Sequence, residues 1–221
     1  ERDCVACALY RTCAYPAIFE TPPPLEYARR KLSNVPLPFV VEPPPWGERE
    51  HAAGSALNFA TVLIGPALDQ LPLVLMAWRR ALQLGLGPQQ GTARLERVFV
   101  EGEAEPVLVN AAAGVRPHAQ YLPSTPPNPA PSSATLIFDT PLRLQRGGHL
   151  LGVGELTTHD LLRALLRRVA ELVELQLGAS LDIDFAALSA HATSIAGDAQ
   201  LTWRDWTRHS SRQQQRMVAT P

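Results

Sequence analysis

Apolar positions along the chain recur with two periods, one near 3.6 residues and one of two, and the switches between them mark out helices and strands. The clearest helical stretch runs from His159 to Leu177. Its apolar residues Leu161, Leu162, Leu165, Leu166, Val169, Leu172 and Val173 form one wide face. Thr157 or Thr158 is placed to cap its start, and Gly178 to close it. Arg163 and Arg167 stand one turn apart on the polar face, with Arg168 spaced to pair with Glu171. A second helix is predicted over Leu71–Leu84, ended by Gly85, and a shorter one over Phe185–Ile195. Strands are predicted at Phe39–Val41, Ala56–Ile64, Ala93–Val100, Pro106–Val109, Thr135–Phe138, Leu142–Gln145 and Ala199–Trp206, with Gly147-Gly148 as a turn. One dominant helix among strands in each half implies an α+β fold, read as two βαβ-type units side by side.

Proline sets the boundaries. The run PHAQYLPSTPPNPAPSS, residues 117–133, is too proline-rich for regular structure and reads as a linker. It separates an N-terminal unit, 1–116, from a C-terminal unit, 134–221. PPPWGEREHAAG, residues 43–54, reads as a loop.

Composition narrows the class. With 46% apolar and 19% charged residues, the 221-residue chain is globular and has enough length for a core in each unit. Its net charge of −1 excludes a protein that is basic overall, so any nucleic-acid binding must use a local basic surface. The apolar run Leu71–Trp78 stops at Arg79-Arg80, too short for a membrane span, and the expected location is the cytoplasm. The sequence begins at Glu1 without a methionine, and segments are expected to be missing at one or both ends.

All three cysteines, Cys4, Cys7 and Cys13, fall in a C-x2-C-x5-C cluster. An odd, clustered set argues against a secreted disulfide framework. Cys4 and Cys7 have the spacing of a zinc knuckle and Cys13 suits a third ligand. A structural zinc takes four, so the fourth must come from upstream or from a distant histidine. Reduced thiols in a short helical turn are the plain alternative.

The segment QLTWRDWTRHSSRQQQR, residues 200–216, is the most informative piece. Arginine and glutamine are costly to bury unpaired, so this is no core strand. Read as extended to Ser210, it alternates: Thr202, Arg204, Trp206, Arg208 and Ser210 on one face, Trp203, Asp205, Thr207 and His209 on the other. Arginine forks, hydroxyls, amides and stacking rings together suit a phosphate backbone and unpaired bases. The RNA-binding candidates are Arg204, Arg208, Ser210, Ser211, Arg212, Gln213 and Arg216. An edge strand with a solvated tail is the structural alternative.

Six histidines are present: His51, His118, His149, His159, His191 and His209. His209 has the best neighbourhood for a general base, because Arg208 and Arg212 are placed to hold a phosphate beside it. His51, on a glycine-bearing loop, is the second candidate; His149 and His159 read as ordinary surface positions. The loop Gly85–Gly91 lacks the Gly-Lys-Ser/Thr of a phosphate-binding P-loop. Arg94 and Arg97 flank it as further phosphate contacts, with Glu96 weakening that signal.

Four stretches together carry a family resemblance: CVACALYRTCAYPAIFETPPP at 4–24, LPFVVEPPP at 37–45, LGLGPQQGTARLERV at 84–98 and WRDWTRHSSRQQQRM at 203–217. The chain resembles the CRISPR-associated endoribonucleases that process precursor CRISPR RNA, within the RAMP (repeat-associated mysterious protein) superfamily. The resemblance implies two tandem ferredoxin-like (RRM-like) units. It also implies metal-independent cleavage of a repeat RNA, often at a hairpin base, leaving a 2′,3′-cyclic phosphate. No cofactor is implied for catalysis, and the chain has no clustered carboxylates suited to a two-magnesium site. Such relatives carry their usual catalytic histidine on a strand and helix ahead of the cysteine stretch, and continue into a glycine-rich loop past the point where this chain stops. They tend to have tyrosine where His209 stands. Partners implied are CRISPR repeat RNA or its processed product, and other subunits of an effector complex. Two further readings stay open: a non-catalytic CRISPR-RNA-binding subunit, and a zinc-stabilised interaction module.

Overall fold

Tight turns begin the chain, with Cys7 N–H donating to the Cys4 carbonyl and Tyr10 N–H to that of Cys7. They lead into a short helix, α1, Ala14–Phe19. The structure, a computed structural model, describes residues 4–24, 35–44, 50–87, 89–108, 114–119, 132–203, 206–210 and 215–219. Two strands follow, β1 (Phe39–Glu42) and β2 (Ala60–Leu63), paired antiparallel with Phe39 opposite Leu63 and Glu42 opposite Ala60. A 3-10 turn, Gly65–Gln70, passes into α2, Leu71–Leu84. Next come a hairpin of β3 (Gln145–Arg146) and β4 (His149–Leu150), the long helix α3 (Thr158–Leu177), and α4 (Phe185–Ser194). A last antiparallel pair joins β5 (Trp206–Ser210) to β6 (Gln215–Ala219). Helices with small antiparallel sheets make this an α+β protein.

The chain divides into two compact units, one of 1–66 with 136–221 and one of 67–135. In the first, α3 is tied at both ends. The Thr157 hydroxyl accepts from Asp160 N–H while the Asp160 carboxylate accepts from Thr157 N–H at 3.1 Å, a capping box that satisfies two otherwise orphaned donors. The same carboxylate accepts from the Thr157 hydroxyl at 2.6 Å and from Arg146 at 3.4 Å, fastening the hairpin to the helix start. At the other end, the Gln176 amide donates to the Pro36 carbonyl at 2.6 Å, and a side chain at Gly65 would collide with Leu177. Ile18, Pro16, Pro38, Leu151 and Ala192 are buried in this unit. Phe19 packs between Tyr15 and Phe39, with ring centroids 5.2 and 5.8 Å away.

The second unit buries Ala67, Val74, Leu75, Leu82, Val107 and Leu108. These include one face of α2, as its periodicity predicts. Gly85 ends α2 with φ +104°, a conformation open to glycine but strained for other residues. Leu86 and Gly91 then exchange two hydrogen bonds of 2.9 Å, closing the loop between them.

Several expected elements are shorter or absent among the described residues. Of Ala93–Val100 and Pro106–Val109, only a single bridge forms, Val98 with Leu108. Thr135–Phe138 is not a strand and is exposed, and pairing begins at Gln145 rather than Leu142. β2 starts at Ala60 rather than Ala56, and the stretch 199–203 precedes β5 without being a strand. Alternation marks residues able to be strand, but a ladder also needs an extended partner in register, which local sequence does not supply; Val109 lies outside the described residues. Glu171 pairs with Arg167, four residues away at 3.8 Å, rather than with Arg168. Most of the predicted linker, residues 120–131, lies outside the described residues.

The cap yields a test. Asp160 titrates below the ordinary aspartate range, mainly because the Thr157 hydroxyl donates to its charged form, then through Thr157 N–H and the charge of Arg146, against the opposing effect of burial. A depressed folded value means stability that is present above the unfolded titration range and lost as pH falls through the folded one. Thr157→Ala is therefore expected to cost about 1 kcal/mol in denaturant unfolding at neutral pH. Asp160→Asn should flatten the acid limb of the stability curve. An unchanged acid limb in Asp160→Asn would remove Asp160 from the acid response.

Candidate nucleic-acid interface

Part of the polar segment predicted to meet RNA falls in the β5–β6 pair: Trp206–Ser210 is β5, and Gln215 and Arg216 begin β6. Its register sets Trp206 opposite Ala219, Thr207 opposite Val218, Arg208 opposite Met217, His209 opposite Arg216 and Ser210 opposite Gln215. Opposed positions of an antiparallel ladder share a face, so His209 and Arg216 occupy one face of the ribbon and Arg208 and Ser210 the other. Arg204, Ser211, Arg212 and Gln213 lie outside the described residues. The expected strand therefore forms in its second half, and its end at Ser210 is where the alternation placed it.

The other candidates fall elsewhere in the chain. His51 is exposed in irregular structure before β2. Arg94 and Arg97 are exposed beyond the Gly85–Gly91 loop in the second unit, and Arg94 is already 3.0 Å from Glu96, which offsets its charge. Cys4 is half-buried, while Cys7 and Cys13 are exposed, and all three are free thiols. Among the described residues, no three histidine, cysteine or acidic side chains stand close enough to hold a metal ion.

Two histidines read as ordinary surface positions have specific partners. His149 Nε2 is 3.6 Å from Glu155, beside the Gly147-Gly148 turn. The Glu155 carboxylate accepts from Gly152 N–H at 2.7 Å, and chiefly for that reason titrates below the usual glutamate range, with His149 adding to the effect. His159 Nε2 is 3.1 Å from the Ser189 hydroxyl, joining α3 to α4. A glutamate six residues past a histidine that follows a glycine turn was the available signal for the first pair. The second, thirty residues apart, leaves no local trace.

An α+β chain with a basic terminal ribbon is the class these observations define. A family model, AF_1859_N, described as an N-terminal domain, matches residues 1–120 of the 221, and the chain belongs to that family. No curated protein and no solved structure matches the chain. No helix among the described residues is long and apolar enough to cross a membrane.

The loop after α2 supplies a local test. A Cβ at Gly85 would sit 2.5 Å from the Gln90 carbonyl oxygen, on a backbone with positive φ. Gly85→Ala should cost more than about 1 kcal/mol of stability. Gly87→Ala, at φ +72° with open space around it, should cost less. Equal unfolding midpoints for the two variants would contradict the close approach at Gly85.

Proposed function

We propose that this chain binds and cleaves precursor CRISPR RNA, with the β5–β6 segment as its RNA surface. The observation that carries the reading is the register of His209 against Arg216, a titratable base and a fixed cation on one face of a ribbon rich in arginine, serine and glutamine. The likeness of the four sequence stretches to CRISPR RNA-processing endoribonucleases supports it. On this reading the small antiparallel sheets belong to two ferredoxin-like units, the protein works in the cytoplasm, and it can stay on its product within an effector complex.

The chemistry follows from the substrate. A general base takes the 2′-hydroxyl proton, the 2′-oxygen attacks the adjacent phosphorus in line, and the 5′-oxygen leaves with a proton. The products are a 2′,3′-cyclic phosphate and a 5′-hydroxyl. The tethered nucleophile gives the proximity that a metal would otherwise supply, and arginine stabilises the extra negative charge of the transition state. His209 is the candidate base, with His51 second. Arg204, Arg208, Arg212, Arg216, Ser210, Ser211 and Gln213 are the candidate RNA contacts, with Arg94 and Arg97 as outlying ones.

The test pairs repeat-RNA binding across a salt series with single-turnover cleavage. Arg208→Ala and Arg212→Ala should each weaken binding and reduce the log–log salt slope by about 0.7–0.9. His209→Ala should slow cleavage ~10²–10⁴-fold with binding retained. Retained binding with no cleavage by the unaltered chain would favour a non-catalytic CRISPR-RNA-binding subunit instead. Unchanged affinity and slope in the double arginine variant would overturn the RNA surface. Activity lost in EDTA and restored by magnesium would overturn the mechanism.

A further inference from the structure

Three large apolar residues in a row stand in solvent ahead of the β3–β4 hairpin. Leu136, Ile137 and Phe138 are 59%, 81% and 42% exposed, and every other residue from 132 to 140 is exposed as well. Bends at Ser132 and Asp139 bracket a stretch that is neither turn nor helix. Among the described residues, none makes a backbone hydrogen bond to residues 132–140. The composition nonetheless suits a strand. Thr135, Ile137 and Phe138 are β-branched or aromatic, and no glycine or further proline falls between Pro131 and Pro141. An apolar, strand-forming segment with unused donors and acceptors is a template for pairing with another chain.

We propose that residues 135–139 pair with the same residues of a second copy of this chain, as an antiparallel ribbon about a two-fold axis at Ile137. The segment's own sequence selects that occupant, because a two-fold interface must be complementary to itself. With Ile137 opposite the partner's Ile137, Leu136 meets the partner's Phe138, an aliphatic–aromatic cross-strand pair on each side of the axis. Asp139, the one charged residue between Pro131 and Pro141, meets the partner's Thr135. Parallel pairing in register would instead set two aspartates opposite each other, which is repulsive. Pro141 has no N–H to extend the ladder. A single strand pair of this length is a small interface, so the dimer is weak and forms as concentration rises. It uses no part of β5–β6 and is independent of RNA binding.

The experiment uses the full chain without RNA. Sedimentation equilibrium should show monomer passing to dimer as concentration rises. Ile137→Lys sets two like charges on the axis and removes apolar contact, and should raise the dissociation constant at least ~10-fold. Because Ile137 is exposed, that variant should keep the unfolding midpoint of the unaltered chain. With Cys4, Cys7 and Cys13 replaced by serine, Ile137→Cys should be linked into dimers by a short thiol-reactive crosslinker. Asp139→Cys should not, since its counterpart lies four residues, about 13 Å, farther along the ribbon. Monomer at every concentration would overturn the pairing. A dimer that Ile137→Lys leaves unchanged, or equal crosslinking of Ile137→Cys and Asp139→Cys, would overturn this surface. Assemblies larger than a dimer would overturn the two-fold closure.

Discussion

The carboxylate of Asp160 is the interaction on which the larger unit is built. It is buried, and a buried carboxylate is tolerated only when its lone pairs are met. Here they are met by the Thr157 hydroxyl, the Thr157 amide and the Arg146 guanidinium. The first two fix the residue at which α3 begins. The third binds that helix start to the β3–β4 hairpin. Once the start is fixed, the 3.6-residue repeat determines which residues of the next five turns face inward, and it brings Gln176 to the Pro36 carbonyl at the far end. One capped helix thus connects the hairpin on one side to the lead-in of β1 on the other.

Charge is segregated along the chain. Among the described residues, three arginines stand beside a carboxylate: Arg94 with Glu96, Arg146 with Asp160, Arg167 with Glu171. The segment 200–216 has four arginines and a single acid, Asp205. A net charge of −1 therefore conceals a local excess of positive charge. That contrast has more bearing on a polyanionic partner than the total does, because screening confines each charge to its neighbourhood.

Much of the fold was legible because helices declare themselves locally. Leu71–Leu84 has the bounds that its apolar repeat and Gly85 predicted, and α3 the Thr157 cap and Gly178 closure. The two glycines of the hairpin turn, φ +59° and +83°, suit the tight primed turn that closes two strands. Strands were less legible. Phe39–Val41 found a partner in β2, whereas the equally apolar Thr135–Phe138 did not, since pairing depends on a second segment far away in sequence. The site divides along the same line. The spacing of Cys4, Cys7 and Cys13 is local, whereas the hydrogen bond from the Tyr10 hydroxyl to the Glu20 carbonyl depends on how α1 folds back on the turns before it. The partner of His159 on α4 is likewise a product of packing.

The β5–β6 pair poses a separate physical question, since a lone two-stranded ribbon is marginal in water. The β1–β2 pair has Phe39, packed against Phe19, to hold it in its unit. The sequence of β5–β6 offers fewer apolar residues for the same purpose: Trp206 at one end, and Met217, Val218 and Ala219 at the other. Those residues fall together in the register, Trp206 opposite Ala219 and Thr207 opposite Val218, so the apolar content gathers at the open end of the ribbon. His209, Ser210, Gln215 and Arg216 gather at the end nearest the connection. A ribbon divided this way has one end suited to packing and one suited to water or a charged ligand.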